Sequence, residues 1–232
     1  MIKAVLNDIE GTTSSLTFVK DVLFPYARLR MADFVGTHGD EEEVRRLLNE
    51  VSIEAGRNLS DTQAVDQLVQ WIDQDRKITP LKVLQGLIWE EGFRRGEFVG
   101  HVYEDAALKL REWHESGIRL YIYSSGSVHA QKLLFSHTDQ GDLTPLFSGY
   151  FDTRVGAKQD VESYRRIAGE IGLVPGSILF LSDIGSELDA AQEAGMATGW
   201  LVREGPLDPD AAHRQVRNYA SLMLRNPSVN GG

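Results

Sequence analysis

The sequence predicts an α/β protein: a doubly wound, mostly parallel sheet with an all-helical subdomain inserted near its start. Three observations carry that reading. The apolar run Ala4-Val5-Leu6 reads as a short buried strand. From residue 99 onward strand and helix patterns alternate, which implies right-handed crossovers and a sheet covered on both faces. Between the two, residues 18–98 carry four helical patterns and few strand signals. The expected core is 1–17 with 99–232, and the expected insert is 18–98.

The first helical pattern of the insert carries Val22, Leu23, Tyr26, Leu29, Met31 and Phe34. The second opens with Asp40 and Glu43 at capping-box spacing, then repeats Val44, Leu47, Leu48 and Val51 at helical period. Ser60 and Gln63 form a like pair before the third, whose face holds Val65, Leu68, Val69 and Ile72. The fourth starts at Thr79-Pro80, a capping residue followed by proline at the first helical position, and continues through Val83, Leu84, Leu87 and Ile88. Aromatic residues here (Phe18, Phe24, Trp89, Phe93) are explained better by core packing than by a ligand pocket.

In the core, a helix from Ala106 to Glu115 stops at Gly117, and the strand Ile118 to Tyr123 runs into Ser124-Ser125-Gly126-Ser127. A helix from Val128 to Phe135 precedes a short strand, Tyr150-Phe151. Lys158 then leads into a helix with Val161, Tyr164, Ile167, Ala168 and Ile171 on one face. The strand Ile178 to Leu181 ends in Ser182-Asp183, a helix from Glu187 to Ala194 closes at Gly195, and a last strand covers Gly199 to Val202. The tail 226–232 is expected to be disordered.

Composition narrows the function classes. Hydrophobic residues at 42% and charged residues at 25% suit an ordinary globular protein. A net charge of -10 argues against nucleic-acid or anionic-membrane partners, which need a basic face. With no cysteine there is no disulfide, thiolate metal site or cysteine nucleophile. No signal peptide or bilayer-spanning apolar run is visible, so a cytoplasmic location is expected.

Ligands of open parallel sheets sit at the carboxyl ends of the strands. Those ends offer Asp8 and Glu10, then Ser124 and Ser125, then Lys158 a little past its strand, then Asp183. Each has a plain alternative: Asp8 to Thr13 as a solvated turn, the serines as a helix cap, Lys158 as a solvated loop lysine, Asp183 as a turn residue. Taken together, these carboxylates, hydroxyls and ammonium match the needs of phosphoryl transfer to a carboxylate. A carboxylate attacking a phosphate dianion is repelled by it, so a divalent cation must bridge the two. Oxygen ligands suit magnesium, which takes only one or two protein carboxylates. Asp8 and Asp183 supply these, with a main-chain carbonyl near Glu10. Ser124 holds phosphate oxygens, Lys158 offsets negative charge, and Glu10 protonates the leaving alcohol before activating water.

Asp8-x-Glu10-Gly-Thr-Thr, Ser124 at a strand end, Lys158 before a helix and Asp183-x-x-x-Glu187 resemble, in order, the four motifs of haloacid-dehalogenase-like phosphatases. The resemblance implies a Rossmann-like core with the insert as its cap. Glutamate at position 10, where aspartate is usual, narrows it further. With Phe18 to Tyr26, Ile88-Trp89, Tyr121 to Ser127 and Ser182 to Ala191, the chain is similar to the enolase-phosphatase family of methionine salvage over nearly its whole length. That family implies a bifunctional enzyme dependent on Mg2+ that enolises 2,3-diketo-5-methylthiopentyl-1-phosphate and dephosphorylates the enol to 1,2-dihydroxy-3-keto-5-methylthiopentene. It also implies a monomer with a small phosphorylated diketone as its only partner. Carried onto matching positions, Asp8 is nucleophile and metal ligand, Glu10 acid/base and main-chain ligand, and Asp183 the further ligand. Ser124, Ser125 and Lys158 bind phosphate, while Glu187 orients a metal water. The enolisation base is not fixed by these motifs; Glu10 is the first candidate. A sugar-phosphate phosphatase or phosphomutase with the same core is the nearest rival, and a receiver-type phosphoacceptor domain a remote one.

Overall fold

The computed structural model describes residues 1–224, so the tail expected to be disordered lies outside the described residues. Along the chain come β1 (Ala4–Asn7), a single turn α1 (Leu16–Phe18), a π-helical turn (Val19–Leu23), and α2 (Phe24–His38), α3 (Glu42–Glu54), α4 (Asp61–Asp73) and α5 (Thr79–Arg94). There follow α6 (Glu104–Glu115), β2 (Arg119–Tyr123), α7 (Val128–Ser136), β3 (Phe147–Phe151), α8 (Val161–Ile171), β4 (Ile178–Ser182), α9 (Gly185–Glu193), β5 (Ala197–Leu201) and β6 (Gln215–Val216). The chain forms two compact units, Thr17–Val99 and the remainder, Met1–Leu16 with Gly100–Gly232.

The larger unit is built on one sheet of order β3-β2-β1-β4-β5-β6 in which every described pairing is parallel. Side chains alternate across a strand, so Ala4 and Leu6 share one face with Tyr121, Tyr123, Ile178 and Phe180. There they pack on Tyr164, Ile167 and Ile171 of α8 and on Leu188 and Ala191 of α9. Val5 and Asn7 point to the opposite face, where Trp113 of α6 lies against Tyr219.

Three strands differ most from expectation. β5 runs Ala197–Leu201 rather than Gly199 to Val202. β3 starts at Phe147 rather than Tyr150, because Gly149 interrupts the apolar run that marks a strand. A Cβ at Gly149 would sit 3.1 Å from the Tyr121 ring on the neighbouring strand, a tight contact that glycine avoids. β6 is only a two-residue edge, paired through Trp200↔Gln215 and Leu201↔Val216, and too short to show a period.

The smaller unit is all-helical among its described residues. Phe18, Trp89 and Phe93 are buried within it, and the Trp89 indole N–H donates to the Leu23 carbonyl at 2.7 Å. Sequence reading misplaces two of its helix starts. Glu41, not Asp40, is the N-cap of α3, without a side-chain cap bond, so the Asp40/Glu43 box does not form; Asp40 instead faces Arg45 at 3.5 Å. Ile78 precedes α5, and Thr79 is already helical beside Pro80. The Ser60/Gln63 box forms in full: Ser60 Oγ accepts from Gln63 N at 3.3 Å, and Gln63 Oε1 accepts from Ser60 N at 3.0 Å. Ser60→Ala therefore removes a working cap and should lower unfolding free energy by about 1 kcal/mol in urea titration, with the slope unchanged.

Candidate active site

β1, β2 and β4 end level with one another. Leu6 pairs with Tyr121 on one side and Phe180 on the other, and Asn7 with Ile122 and Leu181. Asp8, Ser124 and Ser182-Asp183 thus lie along one edge. The chain walks outward from β1 through β2 and β3, then crosses to β4 on the other side of β1. Doubly wound sheets bind ligands at this kind of switch point.

A cavity of about 300 Å³ opens there, and Asp8, Glu10, Ser124, Ser125, Lys158 and Asp183 all line it, with Glu187. The alternation that puts Leu6 and Phe180 on the α8–α9 face puts Asp8 and Ser182 there too. Lys158 reaches the same face from the loop before α8, and Glu187 from the first turn of α9.

The buried Lys158 ammonium lies 2.6 Å from Asp8 Oδ1 and 2.6 Å from Glu187 Oε2. The Ser182 hydroxyl donates to Glu187 Oε2 at 2.8 Å and lies 3.4 Å from Asp8 Oδ2. Asp8 Oδ1 also accepts from Ile9 N at 2.8 Å. Glu187, expected to face a metal water, here has the Lys158 ammonium and the Ser182 hydroxyl as partners. Burial lowers the Lys158 pKa, but the charges of Asp8 and Glu187 outweigh it and hold the ammonium above its ordinary range. The Asp183 carboxyl is pushed up to about 7, first by burial and then by the charge of Asp8. Burial and Asp8 likewise raise Glu187.

The turn after β1 is tightly folded. The Thr13 hydroxyl donates to the Asp8 carbonyl at 3.0 Å, and the Thr12, Thr13 and Ser14 amides all donate to the Ile9 carbonyl. Gly11 has φ +68°, and a Cβ there would stand 2.1 Å from Asp183 Oδ2. Only glycine fits, both for its backbone angle and for the carboxylate beside it.

The serine run divides its duties. Ser127 is the N-cap of α7, accepting from Ala130 N at 3.2 Å. Ser124 and Ser125 face the cavity instead. Their loop is held by Gln131, whose amide donates to the carbonyls of Gly126 at 2.8 Å and Phe151 at 2.9 Å.

Thr153, Gln159 and Ile184 also line the cavity and were not among the residues expected from sequence. The first two sit in loops with no pattern to mark them. Ser182 was detectable, since it follows Phe180 at strand spacing and so must share the face of Asp8.

A family model described as haloacid dehalogenase-like hydrolase matches residues 2–195. The chain is 57% identical over 222 residues to a protein named enolase-phosphatase E1 from Thioalkalivibrio sulfidiphilus, covering 96% of this chain and 99% of that one. It is 63% identical over 206 residues to a protein of the same name from Methylococcus capsulatus, covering 88% and 91% respectively. Among solved structures, the UTR4 protein of Saccharomyces cerevisiae superposes with a TM-score of 0.82 at 32% identity, over 96% of this chain and 100% of that one. The chain belongs to the haloacid dehalogenase-like hydrolase family and, within it, to the enolase-phosphatases.

Proposed function

We propose that the chain is a bifunctional, magnesium-dependent enolase-phosphatase of methionine salvage. Its substrate is 2,3-diketo-5-methylthiopentyl-1-phosphate, and its products are 1,2-dihydroxy-3-keto-5-methylthiopentene, an acireductone, and phosphate. In this reading it works as a cytoplasmic monomer on that small phosphorylated diketone, with no nucleic-acid or membrane partner. Among the described residues no helix is long and apolar enough to cross a membrane. The observation that carries the proposal is Asp8 at the switch point, buried beside Lys158 and lining one cavity with Glu10 and Asp183.

The donor set fits magnesium. Asp8 and Asp183 carry carboxylates into one cavity, where burial first and then the charge of Asp8 push the Asp183 carboxyl upward. Magnesium takes one or two protein carboxylates and completes its shell with main-chain oxygen and water. Asp8, Asp183 and the main chain at Glu10 would hold it, and when bound it supplies positive charge against the phosphate oxygens.

Asp8 acts as nucleophile. Its Oδ1 is engaged by Lys158 and the Ile9 amide, while Oδ2, with only the Ser182 hydroxyl at 3.4 Å, is the oxygen that attacks phosphorus. Ser124, Ser125 and Lys158 hold phosphate oxygens. As the P–O bond breaks, Glu10 gives its proton to the departing enol oxygen, and an aspartyl-phosphate remains on Asp8. Glu10, now a carboxylate, takes a proton from the water that cleaves this intermediate. It is also the first candidate to remove the carbon-bound proton in the enolisation.

Purified protein should release phosphate from the diketo phosphate and generate the strongly absorbing enol and acireductone. Asp8→Asn should cut phosphate release by roughly a thousandfold or more with the fold retained. Hydrolysis of sugar phosphates alone would favour the general phosphatase, and persistent release in Asp8→Asn would rule out the covalent route. For Glu10→Gln, turnover should fall by about 10²–10⁴-fold, with either phosphorylated enzyme trapped by acid quenching or neither step proceeding; separate assay of enolisation shows whether Glu10 serves both steps. Mg2+ should raise the melting temperature, corresponding to about 2.7 kcal/mol at a hundred times its dissociation constant. Asp183→Asn should weaken that response; an equal shift in the variant would remove Asp183 from the ligand set.

A further inference from the structure

Behind the Asp8–Ser14 turn, away from the cavity, Arg203 is held on every side. Its Nη1 lies 2.8 Å from each carboxylate oxygen of Asp105, which sits in the first turn of α6. The guanidinium carbon lies 3.9 Å from the centre of the Tyr103 ring and 5.5 Å from that of Tyr219. What remains of the fork points at one atom: Nη2 donates to the Thr12 carbonyl at 2.6 Å, and Nε at 3.2 Å. The Thr12 hydroxyl, by contrast, is buried with no hydrogen-bond partner among the described residues.

The surroundings extend the grip. Tyr103 N donates to the Thr13 carbonyl at 3.0 Å, so adjacent carbonyls of the turn are tied to the Tyr103–Arg203 stack. Asp105 Oδ2 also accepts from Tyr219 N at 2.7 Å. The fully buried Tyr219 hydroxyl donates to Asn7 Oδ1 at 3.1 Å, and Asn7 Nδ2 donates to the Tyr121 carbonyl. Asn7 is the residue before Asp8 and points to the opposite face of the sheet. The same cluster therefore fixes β1 just before Asp8 and the turn just after Glu10.

We propose that Arg203 is a positioning residue for catalysis, holding the main chain that carries Asp8 and Glu10 by clamping the Thr12 carbonyl against the Asp105–Tyr103–Tyr219 cluster. This rests on the reading of Asp8 and Glu10 as nucleophile and acid/base. Arg203 lines no part of the cavity, so it acts through the turn. A planar fork delivers two hydrogen bonds to one carbonyl while binding a carboxylate on its other edge, which a lysine ammonium cannot reproduce. Small displacements of reacting groups are costly, since about 1 Å can lose about 10²-fold in rate.

The test compares wild type with Arg203→Lys and Asp105→Asn, using steady-state kinetics and hydrogen exchange followed by mass spectrometry. In Arg203→Lys the charge and the partner of Asp105 survive while the forked donation is lost. Asp105→Asn keeps the guanidinium but loosens its anchor, and stands in if Arg203→Lys does not fold. In the folded variants kcat should fall by about tenfold or more, with KM within about twofold. Deuterium uptake should rise in the peptide covering residues 8–15 and leave the α8 and α9 peptides unchanged. Wild-type kcat per folded molecule, or uptake over 8–15 equal to wild type, overturns the proposal and leaves Arg203 a stabilising ion pair only. If wild-type protein does not turn over the diketo phosphate, the function reading fails separately. Exchange over 8–15 then decides the clamp.

Discussion

Lys158 is an ammonium taken almost out of water and shared at 2.6 Å between Asp8 and Glu187. Desolvating such a charge is tolerable only with partners on hand, and removing one partner of a buried pair typically costs about 3–5 kcal/mol. That constraint explains why the site is assembled as it is. Asp8 comes from β1, Glu187 from α9 and Lys158 from the loop before α8, so one buried charge ties three separate segments to one point. Tyr164 adds to this by donating its hydroxyl to the Lys158 carbonyl at 2.6 Å. The Asp183 carboxyl at the same site is raised first by its burial and then by the charge of Asp8.

The alternation of β1 divides the labour around that cluster. Leu6 and Asp8 face α8 and α9, where Lys158 and Glu187 meet Asp8, while Asn7 faces α6 and Tyr219. A single residue step thus separates the chemical side of the strand from the side that braces it. Arg203 and Asp105 belong to the bracing side, which is why they escape a reading that looks only at strand ends.

Much of this was legible in the sequence, because the signals were local. Ala4-Val5-Leu6, Ile178 to Leu181 and the patterned face of α8 announce strands and a helix by composition and period. The cavity residues Asp8, Glu10, Ser124, Ser125, Lys158 and Asp183 stand at strand ends, where a parallel sheet brings distant segments together. Other features depended on long-range contacts. Gly149 hides the start of β3 because its reason for being glycine is the Tyr121 ring on a neighbouring strand. Asp40 has a capping residue's identity but interacts with Arg45 instead. Arg203 is one arginine among many until the fold sets it beside Thr12, some 190 residues away.

The crowded junction at Gly11 also bears on how the cavity can be remodelled. A side chain at Gly11 would run into the Asp183 carboxylate, so neither of these two positions can be altered without the other. Leu16, Thr153, Gln159 and Ile184 also line the cavity, and all four are exposed. An engineer seeking a new substrate range has those positions to vary, and a library confined to them would alter the shape of the opening while leaving the charged floor intact.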